Sequence, residues 1–214
     1  LLGLGYAVHI ALEHISDDES FILALGDTIV EADISQILGS DEHIIGISWV
    51  DDPRRFGVVE LSGKRIISME EKPSAPRSNW AIAGLYYFAS CGALRRELKR
   101  LIERDVRTKG EIQLTDALAS MLAKGEKFSA FVIEGWYDCG KPETLLATHR
   151  HLLSENRNEP KLPNSIIIPP VFIDKTAAVE NSIIGPFVSI GEDAVIKNSI
   201  MRDSIVGDRT FLNH

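Results

Sequence analysis

From residue 172 onward the sequence returns to an apolar residue every six positions: Phe172, Ala178, Ile184, Ile190 and Ile196. Four positions after each come Thr176, Ser182, Val188, Ala194 and Ile200, and Gly185 and Gly191 follow two of the isoleucines. A six-residue period is the signature of a parallel β-helix. Each coil carries an apolar face that it cannot bury alone, so consecutive coils must stack. The register slips after Ile200. Ser204-Ile205-Val206-Gly207 restates Ser182-Ile183-Ile184-Gly185 at a spacing of 22, which is not a multiple of six. A loop or an irregular corner is expected between them. The repeat specifies architecture and says little about chemistry.

Upstream, strand and helix patterns alternate. Leu4, Ala7, Val8, Ala11, Leu12 and Ile15 fall at helical spacing, so residues 4–15 read as an amphipathic helix opened by Gly3 and Gly5. Apolar runs at 21–25, 44–50, 81–88 and 128–133 read as strands, and 57–61 with 65–69 as a hairpin around Ser62-Gly63-Lys64. Asp33 is a candidate N-cap for a short helix to Leu38. Further helices are expected at 92–104, at 111–123, and from Pro142, a first-turn proline. This order predicts an α/β sheet, mostly parallel, with some antiparallel pairing. The first strand, 21–25, reads as buried on both faces. The polar stretch 154–164, with two prolines, reads as a linker.

Composition excludes several classes. The apolar and charged fractions, 44% and 25%, are those of an ordinary globular chain. A formal charge of −8 argues against a nucleic-acid partner held by a basic face. No apolar run approaches the ~20 residues of a membrane helix. Cys91 and Cys139 form no disulfide framework, so a reducing cytoplasm is expected. The chain opens at Leu1 without an initiator Met and ends within the repeat, and it reads as a fragment.

Three loops hold residues suited to chemistry. Asp27 follows the apolar run Phe21–Leu25 and Gly26, where open α/β sheets place ligands. A carboxylate there can hold Mg²⁺ or simply cap a turn. Glu71-Lys72-Pro73 sets an acid beside a base: the carboxylate can accept from sugar hydroxyls and the ammonium can face a phosphate, or the pair is an exposed charged turn. Pro73 is expected to hold Lys72 in extended geometry. Asp138 ends another predicted strand, in Trp136-Tyr137-Asp138-Cys139-Gly140. Two aspartates at two strand ends can converge on one metal, or be unrelated caps. The histidines at 9, 14, 149 and 151 show no zinc spacing, Cys139 lacks a Cys/His signature, and no GxGxxG fingerprint occurs.

Taken in order, LGLGYAVHIAL, LGDT, FGVVE, EEKP with SNWAIAGLYYF, GEIQLTDAL and GWYDCGKPETLL resemble the sugar-1-phosphate nucleotidyltransferases, most of all their glucose-1-phosphate thymidylyl- and uridylyltransferase branch. The resemblance spans residues 1–153, and the repeat is similar to members that end in a left-handed β-helix. It implies a Rossmann-like mixed, mostly parallel sheet with flanking helices over 1–153, the linker at 154–164, and an incomplete hexapeptide β-helix over 165–214. By position, Asp27 and Asp138 match the family's Mg²⁺-binding aspartates, Glu71 the residue holding sugar hydroxyls, and Lys72 the one binding the sugar phosphate. Gly57 matches a glycine lying against the sugar, Ile82 a position touching it through its backbone, and Gly3 a glycine near the base. Asp27 is followed by Thr28 where many members have Asn. The family's opening Gly-rich loop, which cradles the triphosphate, does not occur, so the chain as given is expected not to turn over.

The implied reaction joins a nucleoside triphosphate to a sugar 1-phosphate and releases pyrophosphate, with Mg²⁺ as cofactor and a homo-oligomer as the expected assembly. Two alternatives stand beside it. One is a non-catalytic homologue that senses sugar nucleotide. The other is a hexapeptide-repeat acyltransferase, a class that usually places a His in its coils, and none lies between Pro160 and Asn213.

Overall fold

The computed structural model describes residues 2–155, 162 and 164–213. The chain divides into two compact units, residues 1–136 and 137–214. Residues 156–161 and 163, most of the stretch read as a linker, lie outside the described residues.

The first unit opens with α1 (Leu4–Leu12). The helix stops short of Ile15 because its end tightens: Glu13 N–H bonds Ile10 O, and Ile15 N–H bonds Leu12 O. Then come β1 (Phe21–Ala24), β2 (Thr28–Glu31), β3 (His43–Trp49), β4 (Gly57–Ser62), β5 (Arg65–Glu71) and β6 (Trp80–Phe88). Helices α2 (Gly92–Glu103) and α3 (Leu114–Ala123) and strand β7 (Phe128–Val132) follow. Asp33 caps a single 3₁₀ turn at Ile34–Gln36, its carboxylate accepting from Ser35 N–H at 3.1 Å.

Six strands form one sheet in the order β1-β6-β3-β7-β5-β4, and β4 also pairs with β6. The sheet is mixed, but its neighbours are mostly antiparallel. Of the described pairings in it, β3–β7 is parallel, while β1–β6, β3–β6, β4–β5, β4–β6 and β5–β7 are antiparallel. The sequence pattern predicts mostly parallel pairing, and this is corrected: among the described pairings of this sheet only β3–β7 is parallel. Strands β1, β3, β7 and β4 do point one way, but β6 and β5 run against them and sit between them. Placement also corrects β1. It lies at the edge of this sheet, and its residues alternate between half-buried and exposed rather than being covered on both faces.

The spine is β6, buried on both sides. Ile82, Tyr86 and Phe88 face the core shared with α1, α2 and α3, where Leu94, Leu98, Leu114, Leu118 and Phe128 are fully buried. Ala83, Leu85 and Tyr87 face a smaller cluster with Ile37 and Ile133. Each such large side chain contributes about 1.5–3 kcal/mol by leaving water. Arg95 on α2 closes the end of α1, donating to Leu12 O at 2.8 Å and pairing with Asp17.

Strand β8 (Gly135–Asp138) spans the division between the units. The second unit continues with α4 (Pro142–Glu155), opened by Pro142 as expected. Nine short strands follow: β9 (Ile166–Ile167), β10 (Val171–Ile173), β11 (Ala178–Glu180), β12 (Ile183–Ile184), β13 (Val188–Ile190), β14 (Val195–Lys197), β15 (Ile200–Met201), β16 (Ser204–Val206) and β17 (Phe211–Asn213). They stack in parallel as β9-β12-β15, β10-β13-β16 and β11-β14-β17, the three faces of a short β-helix.

Register explains the slip in the repeat. Val171 pairs with Val188 and Ile183 with Ile200, one coil being 17 residues, but Val188 pairs with Ser204, a coil of 16. The inward residues are Ile173, Val179, Ile184, Ile190, Ile196, Met201 and Val206, five or six apart. Phe172 and Ala178, the first two of the six-residue series, do not share the inward face of Ile184, Ile190 and Ile196: Phe172 is exposed and Ala178 faces out, because their faces are offset by one residue. The spacing of 22 is two six-residue faces and two five-residue faces. No loop intervenes. The corner of Gly185, Pro186 and Phe187 is matched one coil later by Arg202 and Asp203 alone, with Phe187 and Asp203 both at positive φ.

Candidate functional site

Four of the residues expected to handle a sugar phosphate converge in the first unit. Gly57, at the start of β4, pairs in register with Glu71, at the end of β5. A Cβ on Gly57 would lie 2.8 Å from Thr115 Oγ1, 3.0 Å from Ile82 Cδ1 and 3.2 Å from Glu71 Oε2. The position therefore needs glycine for close approach. Thr115, buried in the first turn of α3, donates its hydroxyl to Glu71 Oε2 at 2.6 Å. Lys72 Nζ stands 3.5 Å from the other oxygen, Oε1. Glu71 is thus a nearly buried carboxylate with one oxygen held from behind and the other facing a half-exposed ammonium.

The backbone of Lys72 departs from expectation. Its φ is +44°, in the left-handed region, so Pro73 does not hold it extended. The chain reverses sharply at the end of β5, and Lys72 N–H bonds Phe56 O at 3.0 Å. Phe56 is itself braced edge-on by Trp136, with ring centroids 5.0 Å apart. This local strain persists only where surrounding packing over-determines it.

Thr115 and Tyr86, within the QLTD and GLYYF segments, join this cluster without an expected role. Tyr86 lies on β6 with Ile82, and its hydroxyl is pushed well above the ordinary tyrosine range by burial first and by the Glu71 charge second. It stays a neutral donor. Its even spacing from Ile82 along a strand was the available signal.

Asp27 sits exposed in the two-residue turn between β1 and β2. Leu25 N–H bonds Gly84 O at 2.9 Å, tying that turn to β6. Gly84 has φ +76°, and a Cβ there would press on Leu25 and Thr28 at 3.2 Å. Gly84 lies midway between Ile82 and Tyr86, so one strand carries the Asp27 turn and the Glu71 cluster. The Asp27 carboxylate has no hydrogen bond or ion pair among the described residues, which leaves hard oxygens open to a divalent cation. Asp138 ends β8 in the second unit and accepts from Gly140 N–H at 2.9 Å. Gly3 belongs to a different contact. With φ +90° it caps α1, and a Cβ would strike Ile112 O at 2.6 Å. Gly5 N–H donates to the same Ile112 O, at 2.9 Å.

Among the described residues no helix is long and apolar enough to cross a membrane. The fold defines an α/β chain with a β-helical second unit, and its polar cluster forms where a hairpin meets the central strand. The chain belongs to the nucleotidyl transferase family, whose model matches residues 2–155. It is 36% identical over 165 residues to the bifunctional protein GlmU of Methanococcus aeolicus, covering 74% of this chain and 38% of that protein. It is 32% identical over 173 residues to the glucose-1-phosphate thymidylyltransferase of Streptomyces antibioticus, covering 77% and 46%. The chain thus spans less than half the length of these curated relatives. In fold it is similar to a crystal structure from Bacillus anthracis, of a protein named as a candidate glucose-1-phosphate thymidylyltransferase and solved with sucrose. The TM-score is 0.57 at 24% identity, with 74% of this chain and 63% of that one covered.

Proposed function

We propose that this chain serves a magnesium-dependent nucleotidyltransferase that joins a nucleoside triphosphate to a sugar 1-phosphate, giving a nucleotide-sugar and pyrophosphate. The observation that carries this reading is the convergence of Gly57, Glu71, Lys72, Ile82 and Thr115 in one cluster. The family and the names of the relatives support the same reaction class.

The attacking group is a phosphate oxygen, already anionic, so no general base is required. Alignment and charge neutralisation carry such a transfer. Lys72 binds the sugar phosphate and keeps its oxygen aimed at the α-phosphorus. Glu71 accepts from sugar hydroxyls, with Thr115 fixing which carboxylate oxygen points outward. Gly57 admits the sugar close to the backbone. Asp27 would hold the divalent cation, whose chemistry is to neutralise charge on the phosphates, and Asp138, at the end of β8, is the other carboxylate that the resemblance implies as a ligand.

The test is Lys72→Ala. Its sugar 1-phosphate affinity, read by calorimetry on the 214-residue chain, should fall about ten- to a hundredfold, the worth of a charge-assisted phosphate contact. Glucose 1-phosphate is the first probe, followed by other hexose 1-phosphates. Unchanged affinity in the variant would remove Lys72 from the site. Absence of binding by the unaltered chain would count against the sugar half of the reading.

A further inference from the structure

A cleft elsewhere in the first unit shares no residue with the Glu71 cluster. Trp49, the last residue of β3, is 59% exposed. It pairs in register with Trp80, the first residue of β6, and the two rings meet at 84° with centroids 5.3 Å apart. An edge-to-face contact leaves much of an indole face uncovered. Beside the pair lies a shallow, open cleft of about 350 Å³, lined by Glu60 and Leu61 of β4 and by Arg77, Ser78 and Asn79 ahead of β6. That volume is within the range of small-ligand sites.

The polar groups around it are arranged in a particular way. The Asn79 amide donates to Val50 O at 2.7 Å and Asp51 O at 3.2 Å, which holds the approach to β6 in place. Ser78 Oγ accepts from Trp80 N–H at 3.2 Å. The side chains of Glu60 and Arg77, by contrast, make no hydrogen bond or ion pair among the described residues. One is a pure acceptor and the other a pure donor. The two charges are opposite, so the lining of the cleft carries no net charge.

We propose that this cleft binds a neutral pyranose. A sugar ring sets its C–H face against the open Trp49 indole and turns its hydroxyls to the Glu60 carboxylate and the Arg77 guanidinium. The neutral balance decides against other ligands. A nucleotide would bring phosphates that a single cation beside a carboxylate does not offset, and an organic cation would meet Arg77. A purely apolar ligand would strip water from Glu60 and Arg77 without replacing their hydrogen bonds, which is costly. The proposal is independent of the nucleotidyltransferase reading: Trp80 is two residues from Ile82, but the Glu71 cluster takes no part in it.

The experiment uses the 214-residue chain labelled with ¹⁵N, following the indole N–H signals of Trp49, Trp80 and Trp136, its three tryptophans. The probes are the methyl pyranosides of glucose, galactose, mannose and N-acetylglucosamine, with maltotriose. At least one should shift the Trp49 and Trp80 signals, with a dissociation constant of about 1–10 mM for so shallow a site. Trp49→Ala should abolish the response at Trp80, the unshifted Trp136 signal reporting that the variant is folded. Glu60→Gln should weaken binding at least about fivefold. The response should persist in Glu71→Gln, which separates this cleft from the sugar 1-phosphate site. The proposal is overturned by no indole shift at about 50 mM of any probe, or by a response that survives Trp49→Ala. Loss of the response in Glu71→Gln, or a response to glucose 1-phosphate alone, would overturn it as well.

Discussion

Thr115 donates its hydroxyl to the Glu71 carboxylate across 2.6 Å, tying the first turn of α3 to the last residue of β5. The Glu71 side chain is only 8% exposed, so water cannot replace this donor readily. Thr115→Val keeps the shape and removes the donor. Leaving a buried charged acceptor unpaired costs about 1–3 kcal/mol, so the urea midpoint should fall accordingly. Thr115→Ser should restore most of it. Sugar 1-phosphate affinity should weaken about three- to tenfold in the valine variant and recover in the serine one, measured by calorimetry.

Gly57→Ala tests the close approach directly. The added methyl meets Thr115 Oγ1 at 2.8 Å and Ile82 Cδ1 at 3.0 Å, and both belong to packed elements. Overpacking of this kind costs about 1–3 kcal/mol. Thermal unfolding should show the loss, and substrate affinity should drop with it. A variant as stable as the parent, with unaltered affinity, would mean that the strand relaxes and that the glycine is incidental.

Asp27→Asn keeps the turn and removes the charge. Asp27 is exposed and free of partners among the described residues, so stability should change by less than about 0.5 kcal/mol. Magnesium binding, followed by calorimetry on the chain without substrate, should weaken at least about tenfold. Unchanged magnesium affinity would leave Asp27 as a turn residue.

Acid should destabilise the first unit in two stages. Buried His43 accepts Ala89 N–H at Nδ1 (3.2 Å) and turns Nε2 toward Glu126 at 3.5 Å. Burial lowers its affinity for a proton more than Glu126 raises it. The folded chain therefore holds His43 neutral, and the unfolded chain takes up the proton first. Stability is full above the ordinary histidine range and falls as pH drops through about 6.5. Glu97 acts lower down. Burial pushes its carboxyl up, but hydrogen bonds from Lys124, Ser120 and Arg100 outweigh that and bring it to about 2. Its contribution is present above about 4.5 and is lost as pH falls toward 2, roughly 1–3 kcal/mol after allowing for the exposure of Lys124. Urea titrations at pH 7.5, 5.5 and 3 should show both stages. His43→Gln should flatten the first alone, and Glu97→Gln the second.

By itself the sequence determined the element types and singled out the loops of the candidate site. Helical spacing at Leu4–Leu12, alternation around the Gly63 hairpin and the six-residue repeat are local periods, and local periods survive without tertiary context. The Glu71-Lys72 pair was legible for the same reason, since neighbours in sequence stay neighbours in space. Only the tertiary structure decided what lies beside what. Strand β6 inserts between β1 and β3, which turns an apparently parallel sheet into one with mostly antiparallel neighbours. One residue fewer at the Arg202–Asp203 corner shifts the inward register of the β-helix. Thr115 reaches Glu71 across 44 residues of chain. Each of these depends on contacts between distant segments, whose closure is favoured by burial summed over the whole core rather than by any local pattern.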